Sequence, residues 1–571
     1  MIVLGISAYF HDSAAALVKD GAVIAAAEEE RFNRIKHYNG FPTLACKYCF
    51  EHAGITINDI DKVVFYEKPF LKFERIIRTH INYAPKGLRT FLKAMPIWLK
   101  EKLNMRSTIQ RELKNAFGVS PSSVEFCHHH LSHAALAYYT SPYKTCAILV
   151  IDAVGENTTT SIIKATRNGF EIVENQVFPH SLGLLYSAFT YYLGFKVNSD
   201  EYKVMGLAPF GNKNSEEYKT FKETIVNDIV AIHDKGNIEL KEQTFAFMYA
   251  ERMVKDDCWH SLFGIPKRNP NEPLTSTHAN LALALQDVTE EIILKMARYA
   301  KVITGEDNLC ISGGCALNCA AIGKLYFSSE QGSVYVPYAP GDDGAAIGCA
   351  LIASDSKDRK TSNRVPYWGP SYSDDEVRNT LDATNLQYEY IADLKELCHI
   401  VAQELANSLI IGWFQDRMEF GPRALGNRSI LADPRQSYMK DKVNAKIKFR
   451  EAFRPFAPAV LAEHANDIFE CNIESPYMST TFKLKHKQKE FPAITHVDNT
   501  SRIQTVSSLQ NDKFYELLNA FYELTGCPLI LNTSFNVMGE PIVCSPSDAI
   551  RTFTGSGIDI LVMNNFIIRK Q

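Results

Sequence analysis

No apolar run in this 571-residue sequence approaches the length needed to cross a membrane. The longest, Gly344 to Ala353, has ten residues, against the ~18 or more of a spanning helix. The N-terminus reads MIVLGIS and lacks the basic n-region of a secretory signal. A surplus of positive charge is also missing. Lys and Arg number 61 against 65 Asp and Glu, a net charge of −4. That speaks against a chain living on nucleic acid, although a local basic face stays open. The 13 cysteines are scattered and odd in number. Cys46 and Cys49 form a lone CxxC with no second pair, so core packing is expected there rather than zinc. The pattern fits free thiols in a reducing cytoplasm. Neither a GxSxG nucleophile elbow nor a Walker A loop occurs.

What is present describes a folded chain. Hydrophobic residues make up 46% and charged residues 22%, ordinary for a globular protein. The length allows about three or four domains. Ile2–Ser7, Ala14–Val18 and Ala22–Ala27 alternate with Tyr9-Phe10-His11-Asp12-Ser13 and Lys19-Asp20-Gly21. Asp-Gly between two apolar runs predicts a β-hairpin. A similar pattern recurs at Cys146–Ile151, which ends in Asp152, followed by strands at Thr158–Ile163 and Phe170–Val173. A third strand, Leu309–Ile311, ends in Ser312-Gly313-Gly314. Before it, Leu281, Leu285, Val288, Ile292 and Met296 form one stripe of a long helix. Ser354 to Arg364 is polar and charged and reads as a linker. The expected division is 1–355, a linker at 356–375, and 376–571. Residues 85–116 are basic and amphipathic and read as a solvated helical insertion.

Three constellations carry chemistry. In His128-His129-His130-Leu131-Ser132-His133 the spacing of His129 and His133 places both rings on one helix face, with Cβ atoms ~6 Å apart. That suits two ligands of one metal ion, with Asp152 or the Asp342-Asp343 pair as a third. A structural histidine cluster is the alternative. Gly313-Gly314, at a strand-to-helix turn, lets a backbone approach a phosphate; a tight structural turn is the alternative. In the C-terminal part, Arg423, Arg428, Lys446, Lys448, Arg450 and Arg454 fall close together in sequence. If they converge they neutralise a polyanion such as triphosphate; otherwise they form a solvated basic face. Asn532, Thr533, Ser534 and Asn536 follow a strand and offer small polar groups for phosphate and ribose oxygens.

Taken together the motifs resemble the carbamoyltransferases of the NodU/CmcH type. The matching stretches are GISAYFHDSAAALVKDGAVIAAAEEERF, HHLSHAALA, DAVGE, DEYKVMGLAP, SGGCALN, PGDDGAA, FGPRALGNRSILADPR, IKFREAFRPFAP and LNTSFN. They span nearly the whole chain. The resemblance implies an α/β fold class: an N-terminal Kae1-like domain of the actin/sugar-kinase group, built from duplicated ribonuclease-H-like halves, and a C-terminal YrdC-like α/β domain. It implies an enzyme acting in two steps. Carbamoyl phosphate and ATP give carbamoyl-adenylate and pyrophosphate at the YrdC-like site. A hydroxyl of a small-molecule acceptor then takes the carbamoyl group at the Kae1-like site, and AMP leaves.

The resemblance also implies residue roles. His129, His133 and Asp343, with Asp152 as a further candidate, would hold a divalent metal, Fe²⁺ by expectation. His11 would accept the acceptor's proton. Asp12, Gly313, Gly314 and Asn318 would hold the adenylate. Lys448, Arg450, Arg423 and Arg428 would stabilise charge during adenylation, with Asn532, Thr533, Ser534 and Asn536 around the nucleotide and Mg²⁺ accompanying ATP. The expected partners are ATP, carbamoyl phosphate and the acceptor, with no nucleic acid and no membrane; a homo-oligomer stays open. The runner-up readings are a threonylcarbamoyl-adenylate enzyme acting on tRNA and a non-catalytic nucleotide-binding protein. A hydrogenase-maturation carbamoyltransferase is disfavoured by the missing acylphosphatase domain and zinc fingers.

Overall fold

The N-terminal apolar runs pair as the Asp-Gly turn predicts. In a computed structural model describing residues 1–98, 103–328, 333–355, 359–451, 453–485 and 490–570, β1 (Ile2–Ser7) runs antiparallel to β2 (Ala14–Lys19). β3 (Ala22–Glu28) follows on the outer edge, and β4 (Lys62–Phe65) and β5 (Val124–Phe126) extend the other side in parallel. The sheet order is β3-β2-β1-β4-β5.

A second sheet repeats this plan. β6 (Cys146–Ile151), β7 (Thr158–Thr166) and β8 (Gly169–Val177) form an antiparallel meander. A small hairpin, β9 (Val230–Ile232) with β10 (Ile238–Leu240), stands apart. β11 (Leu309–Ser312) and β12 (Val334–Tyr335) then add in parallel beside β6. The order β8-β7-β6-β11-β12 is that of the first sheet: a three-strand meander, then two parallel strands beside its first member. The two sheets thus share one duplicated plan. Each β1-like strand is apolar throughout because it is central and covered on both faces.

The predicted long helix spans Ser276–Thr304, with all five stripe residues buried. A Thr275–His278 capping box starts it and Gly305 ends it. The basic stretch 85–116 lies on helices Leu88–Ile97 and Met105–Phe117; residues 99–102 fall outside the described residues. The last of these helices buries Met105, Ile109 and Leu113, so this part of the stretch is packed rather than free.

The C-terminal unit is built on one eight-stranded mixed sheet, the α/β architecture expected there. Its strands are β13 (Tyr388–Tyr390), β14 (Ile411–Phe414), β15 (Arg428–Ala432), β16 (Ala457–Leu461), β19 (Gln504–Val506), β20 (Leu529–Ser534), β21 (Ile560–Met563) and β22 (Phe566–Arg569), while β17 (Thr481–Lys483) and β18 (Thr500–Arg502) pair separately. Helices Leu394–Ala406 and Asp512–Thr525 cover it through Leu397, Val401, Leu405, Phe514, Leu517 and Phe521.

The division of the chain differs from the expected one. One unit comprises Met1–Ile24 and Asn39–Arg364; the other comprises Ala25–Tyr38 and Val365–Gln571. Part of the expected linker belongs to the first unit. Asn363 is fully buried, accepts from Val23 N–H at 3.0 Å and donates to Gly21 O at 2.9 Å, which ties down the β2–β3 turn. Residues 356–358 of that linker fall outside the described residues. All thirteen cysteines are free thiols, and eleven are buried, Cys46 and Cys49 among them. No helix among the described residues is long and apolar enough to cross a membrane.

Candidate functional site

Helix geometry sorts the histidine run of the first unit. The helix begins at His129 and continues to Thr140. His129 and His133 stand one turn apart on one face, with their Nε2 atoms 3.1 Å apart. His128 lies outside the helix and meets Lys68 Nζ at 2.8 Å. His130 turns the other way, to Ser161 Oγ at 2.7 Å. Burial and the charge of His129 hold His130 down at about 3, so it stays neutral.

Two carboxylates close on the His129–His133 pair. Asp152 follows β6, and its Oδ2 lies 3.0 Å from His129 Nε2 and 3.9 Å from His133 Nε2. Its other oxygen accepts from Gly314 N–H at 3.2 Å. Asp342 opens the helix Asp342–Ala353, and its Oδ1 lies 3.5 Å from His129 Nε2 and 3.4 Å from His133 Nε2. Asp342 stands where the sequence reading placed Asp343. Successive helix residues project ~100° apart, so only one of the two can face the histidines. The Asp343 carboxylate lies beside Gly341 instead. The pattern Asp-Asp gave no way to choose.

Close packing brings these donors together. A Cβ on Gly348 would stand 1.8 Å from Ser132 O, so only glycine lets Asp342–Ala353 lie this near the histidine helix. A Cβ on Gly155 would stand 2.9 Å from the His129 ring. Glu156, in the quoted DAVGE motif but given no role from sequence, accepts from both His129 N–H and Lys68 N–H at 2.9 Å. It thereby fixes the start of the histidine helix.

The electrostatics fit a cation. His129, His133, Asp152 and Asp342 are all buried and each offers an acceptor atom, with the four atoms within 4.8 Å of one another. Burial alone would neutralise His129. Asp342 and Asp152 override it and raise His129 to about 9. Asp152 and Asp342 both sit below the usual carboxylate range: burial opposes this, and the neighbouring histidines prevail. Nδ1 of His129 and Nδ1 of His133 are buried without a hydrogen-bond partner, and the Nε2 atoms are the ones that face the carboxylates. Such a set of two imidazoles and two carboxylates suits a first-row divalent ion.

The other residues predicted for this site divide. His11 joins the cluster: its Nε2 is 3.7 Å from Asp342 Oδ2 and its Nδ1 is 2.9 Å from Asp12 Oδ2. Burial lowers its proton affinity, but Asp342 and Asp12 raise it further, to about 9. Gly313 and Gly314 form the turn after β11 and join the site through Asp152. Asn318 caps the next helix by accepting from Ala321 N–H at 3.1 Å, and its amide pairs with Gln286.

In the second unit, Lys448 is the centre. It is 4% exposed. Its Nζ donates to Ser534 O, to Ser534 Oγ at 3.2 Å, and to Asn536 O and Oδ1 at 2.9 and 2.8 Å. The IKFREAFRPFAP and LNTSFN segments quoted from sequence therefore meet at Lys448. Burial, then Arg450, Arg454 and Lys36, push the Lys448 ammonium well below its ordinary range. Lys36 had no predicted role. Arg450 is steadied by Asn444 Oδ1 at 3.0 Å and stands 4.3 Å over the Phe456 ring. Arg423 is half-buried on the Gly421–Arg428 loop.

Arg428 departs from its expected role. Its side chain is fully enclosed and stacked 3.6 Å over the Phe414 ring. Its N–H groups go to Asn427 O at 2.9 Å, Pro370 O at 3.0 Å and the carbonyls of Gln415 and Asp416. It holds a turn and has no free edge for a phosphate. Asn532 is likewise 1% exposed, with Nδ2 on Gln504 Oε1 at 2.8 Å. Thr533 and Ser534, at the end of β20, are half-buried. Sequence proximity gave no means of separating inward from outward residues here.

Known proteins are similar to this chain over most of its length. Residues 2–351 match the family model described as carbamoyltransferase N-terminus, and residues 402–570 match carbamoyltransferase C-terminus. An uncharacterised protein of Synechocystis sp. is 43% identical, covering 100% of this chain and 96% of its own. Nodulation protein NolNO of Sinorhizobium fredii is 39% identical over 99% of this chain and 79% of its own. Among solved structures, full-length HypF in its phosphate- and nucleotide-bound form aligns with 63% of this chain and 56% of its own, at 12% identity and a TM-score of 0.30.

Proposed function

The chain belongs to the carbamoyltransferase family, and on that premise we propose that it is an ATP-dependent O-carbamoyltransferase acting on a small-molecule hydroxyl. The observation that carries this reading is the presence of two sites of opposite character in one chain. One is a buried set of acceptors suited to a cation. The other is a cation cluster around Lys448, suited to phosphate groups.

In the second unit, carbamoyl phosphate first loses inorganic phosphate to water, leaving carbamate. A carbamate oxygen attacks the α-phosphorus of ATP, and the bond to the β-phosphate oxygen breaks. Carbamoyl-adenylate and pyrophosphate result. Carbamate is a poor electrophile, and the mixed anhydride supplies AMP as a good leaving group. Lys448, Arg450 and Arg423 offset the charge that accumulates on the transferring phosphoryl group. Lys448 is held ready by four oxygen partners from Ser534 and Asn536. Arg428 acts through the backbone it holds. Thr533, Ser534 and Asn536 offer polar groups to the nucleotide, whose polyphosphate brings Mg²⁺.

In the first unit His129, His133, Asp152 and Asp342 would hold a divalent metal, Fe²⁺ by the family resemblance, which supplies Lewis acidity. Asp12 pairs with His11 Nδ1 and leaves Nε2 facing Asp342; His11, raised to about 9, gives up its Nε2 proton before that nitrogen can receive the acceptor hydroxyl's. Gly313 and Gly314 let the adenylate approach the backbone of this turn, whose own N–H groups are held by Pro340 O and Asp152 Oδ1. The acceptor oxygen attacks the carbamoyl carbon, and AMP departs.

The test mixes purified protein with ATP, Mg²⁺ and carbamoyl phosphate and follows pyrophosphate. Release that requires carbamoyl phosphate is expected. No release, with L-threonine and bicarbonate active instead, would move the assignment to the tRNA-modifying chemistry.

A further inference from the structure

Residues 25–38 are encoded ahead of almost the whole first unit, yet they belong by contact to the second. They are anchored on both segments that carry the second site. The first is the Gly421–Arg428 loop. Gly421 N–H donates to Glu28 Oε1 at 2.8 Å, and Gly421 O accepts from Arg31 Nη2 at 2.8 Å. Glu28 and Arg31 are themselves paired at 3.0 Å and buried. Both polar groups of Gly421 are thus held by one ion pair, two residues before Arg423. The second segment follows β20. Arg34 donates to Pro541 O at 2.7 Å and to Ile542 O at 2.6 Å. The preceding carbonyl, Glu540 O, accepts from Asn536 Nδ2 at 2.7 Å, and Asn536 is a partner of Lys448. Phe32 packs between them on Met418, Ala424, Ile542 and Cys544.

We infer that residues 25–38 are a working part of the second site, with Arg31 and Arg34 as positioning residues for its two loops. The inference rests on the two-step reading for its substrates. Its physical basis is that an arginine fork aimed at carbonyls fixes backbone direction.

The experiment uses the full chain and two readouts. Binding of inorganic tripolyphosphate is measured by calorimetry, and initial rates of pyrophosphate release are measured with ATP and carbamoyl phosphate varied in turn. Arg34→Ala is expected to weaken tripolyphosphate at least about fivefold and to lower kcat more than it raises KM, with partial recovery of both in Arg34→Lys. Unchanged affinity and rates, or a loss that follows melting temperature alone and is not rescued by lysine, overturns the positioning role. If wild type binds tripolyphosphate but releases no pyrophosphate, the adenylation reading fails, and the positioning role is decided by the titration alone.

Discussion

In the first unit one potential ligand atom from each of His129, His133, Asp152 and Asp342 lies within 4.8 Å of the others. In the second unit a buried ammonium has four oxygen partners and is surrounded by further cations. The two arrangements tolerate burial differently. Two carboxylates and two imidazoles can be enclosed together because a positive charge, whether a proton or a metal ion, is shared among them. Lys448 gains its stability from fixed carbonyl and hydroxyl dipoles, while its neighbouring cations oppose it. The comparison teaches that the sign of charge a fold gathers in one place tells which partner that place suits, an anion beside Lys448 and a cation among His129, His133, Asp152 and Asp342.

The largest expected effects separate the two sites. Lys448→Ala should reduce pyrophosphate release at least about a thousandfold, since it removes the central charge of a phosphoryl transfer, while metal content measured by mass spectrometry is retained. His133→Ala should do the reverse: pyrophosphate release persists, and metal content and transfer to an acceptor are lost. Exchange of these two outcomes would break the division between the sites.

A smaller effect sharpens the metal assignment. Asp342→Asn should weaken metal retention by roughly 10–100-fold or more in a chelator competition, because it withdraws a charged donor from the set. Asp343→Asn should leave it within a fewfold. Equal losses would mean that either carboxylate can serve.

Packing gives a third comparison. Gly348→Ala forces the two helices apart, and overpacking of this kind costs about 1–3 kcal/mol, to be read from urea unfolding. Metal content should fall with it, since Asp342 moves with its helix. The second unit's tripolyphosphate binding should not respond.

The smallest effect concerns pH. In chelator-treated protein, His129 titrates near 9, against about 6.5 in an unfolded chain. Protons bound by the folded state stabilise it. This contribution is full below about pH 6.5 and is lost as pH rises through about 9. Stability of the metal-free chain should therefore decline over that window, by roughly 1–3 kcal/mol. The metal-loaded chain should show a shallower decline, measured by denaturant melts at fixed pH.

Much of this was legible along the chain. Apolar runs broken by Asp-Gly gave the strands, the repeat of strand, acid and glycine turn gave the duplication, and the four-residue histidine spacing gave half of the first site. These signals work because a strand or helix imposes its period on its own residues. The choice between Asp342 and Asp343, the burial of Arg428 and Asn532, the role of Glu156 and the membership of residues 25–38 were decided by tertiary structure. Each depends on which side of an element faces a partner encoded far away: Asp342 against the histidine helix, Arg428 against Phe414, Arg31 against Gly421. By itself the sequence determined which chemistry the chain carries, because side-chain types and local spacing are written in it. Only the fold decided which carboxylate, which arginine and which segment take part, because direction and distance between remote residues arise from packing.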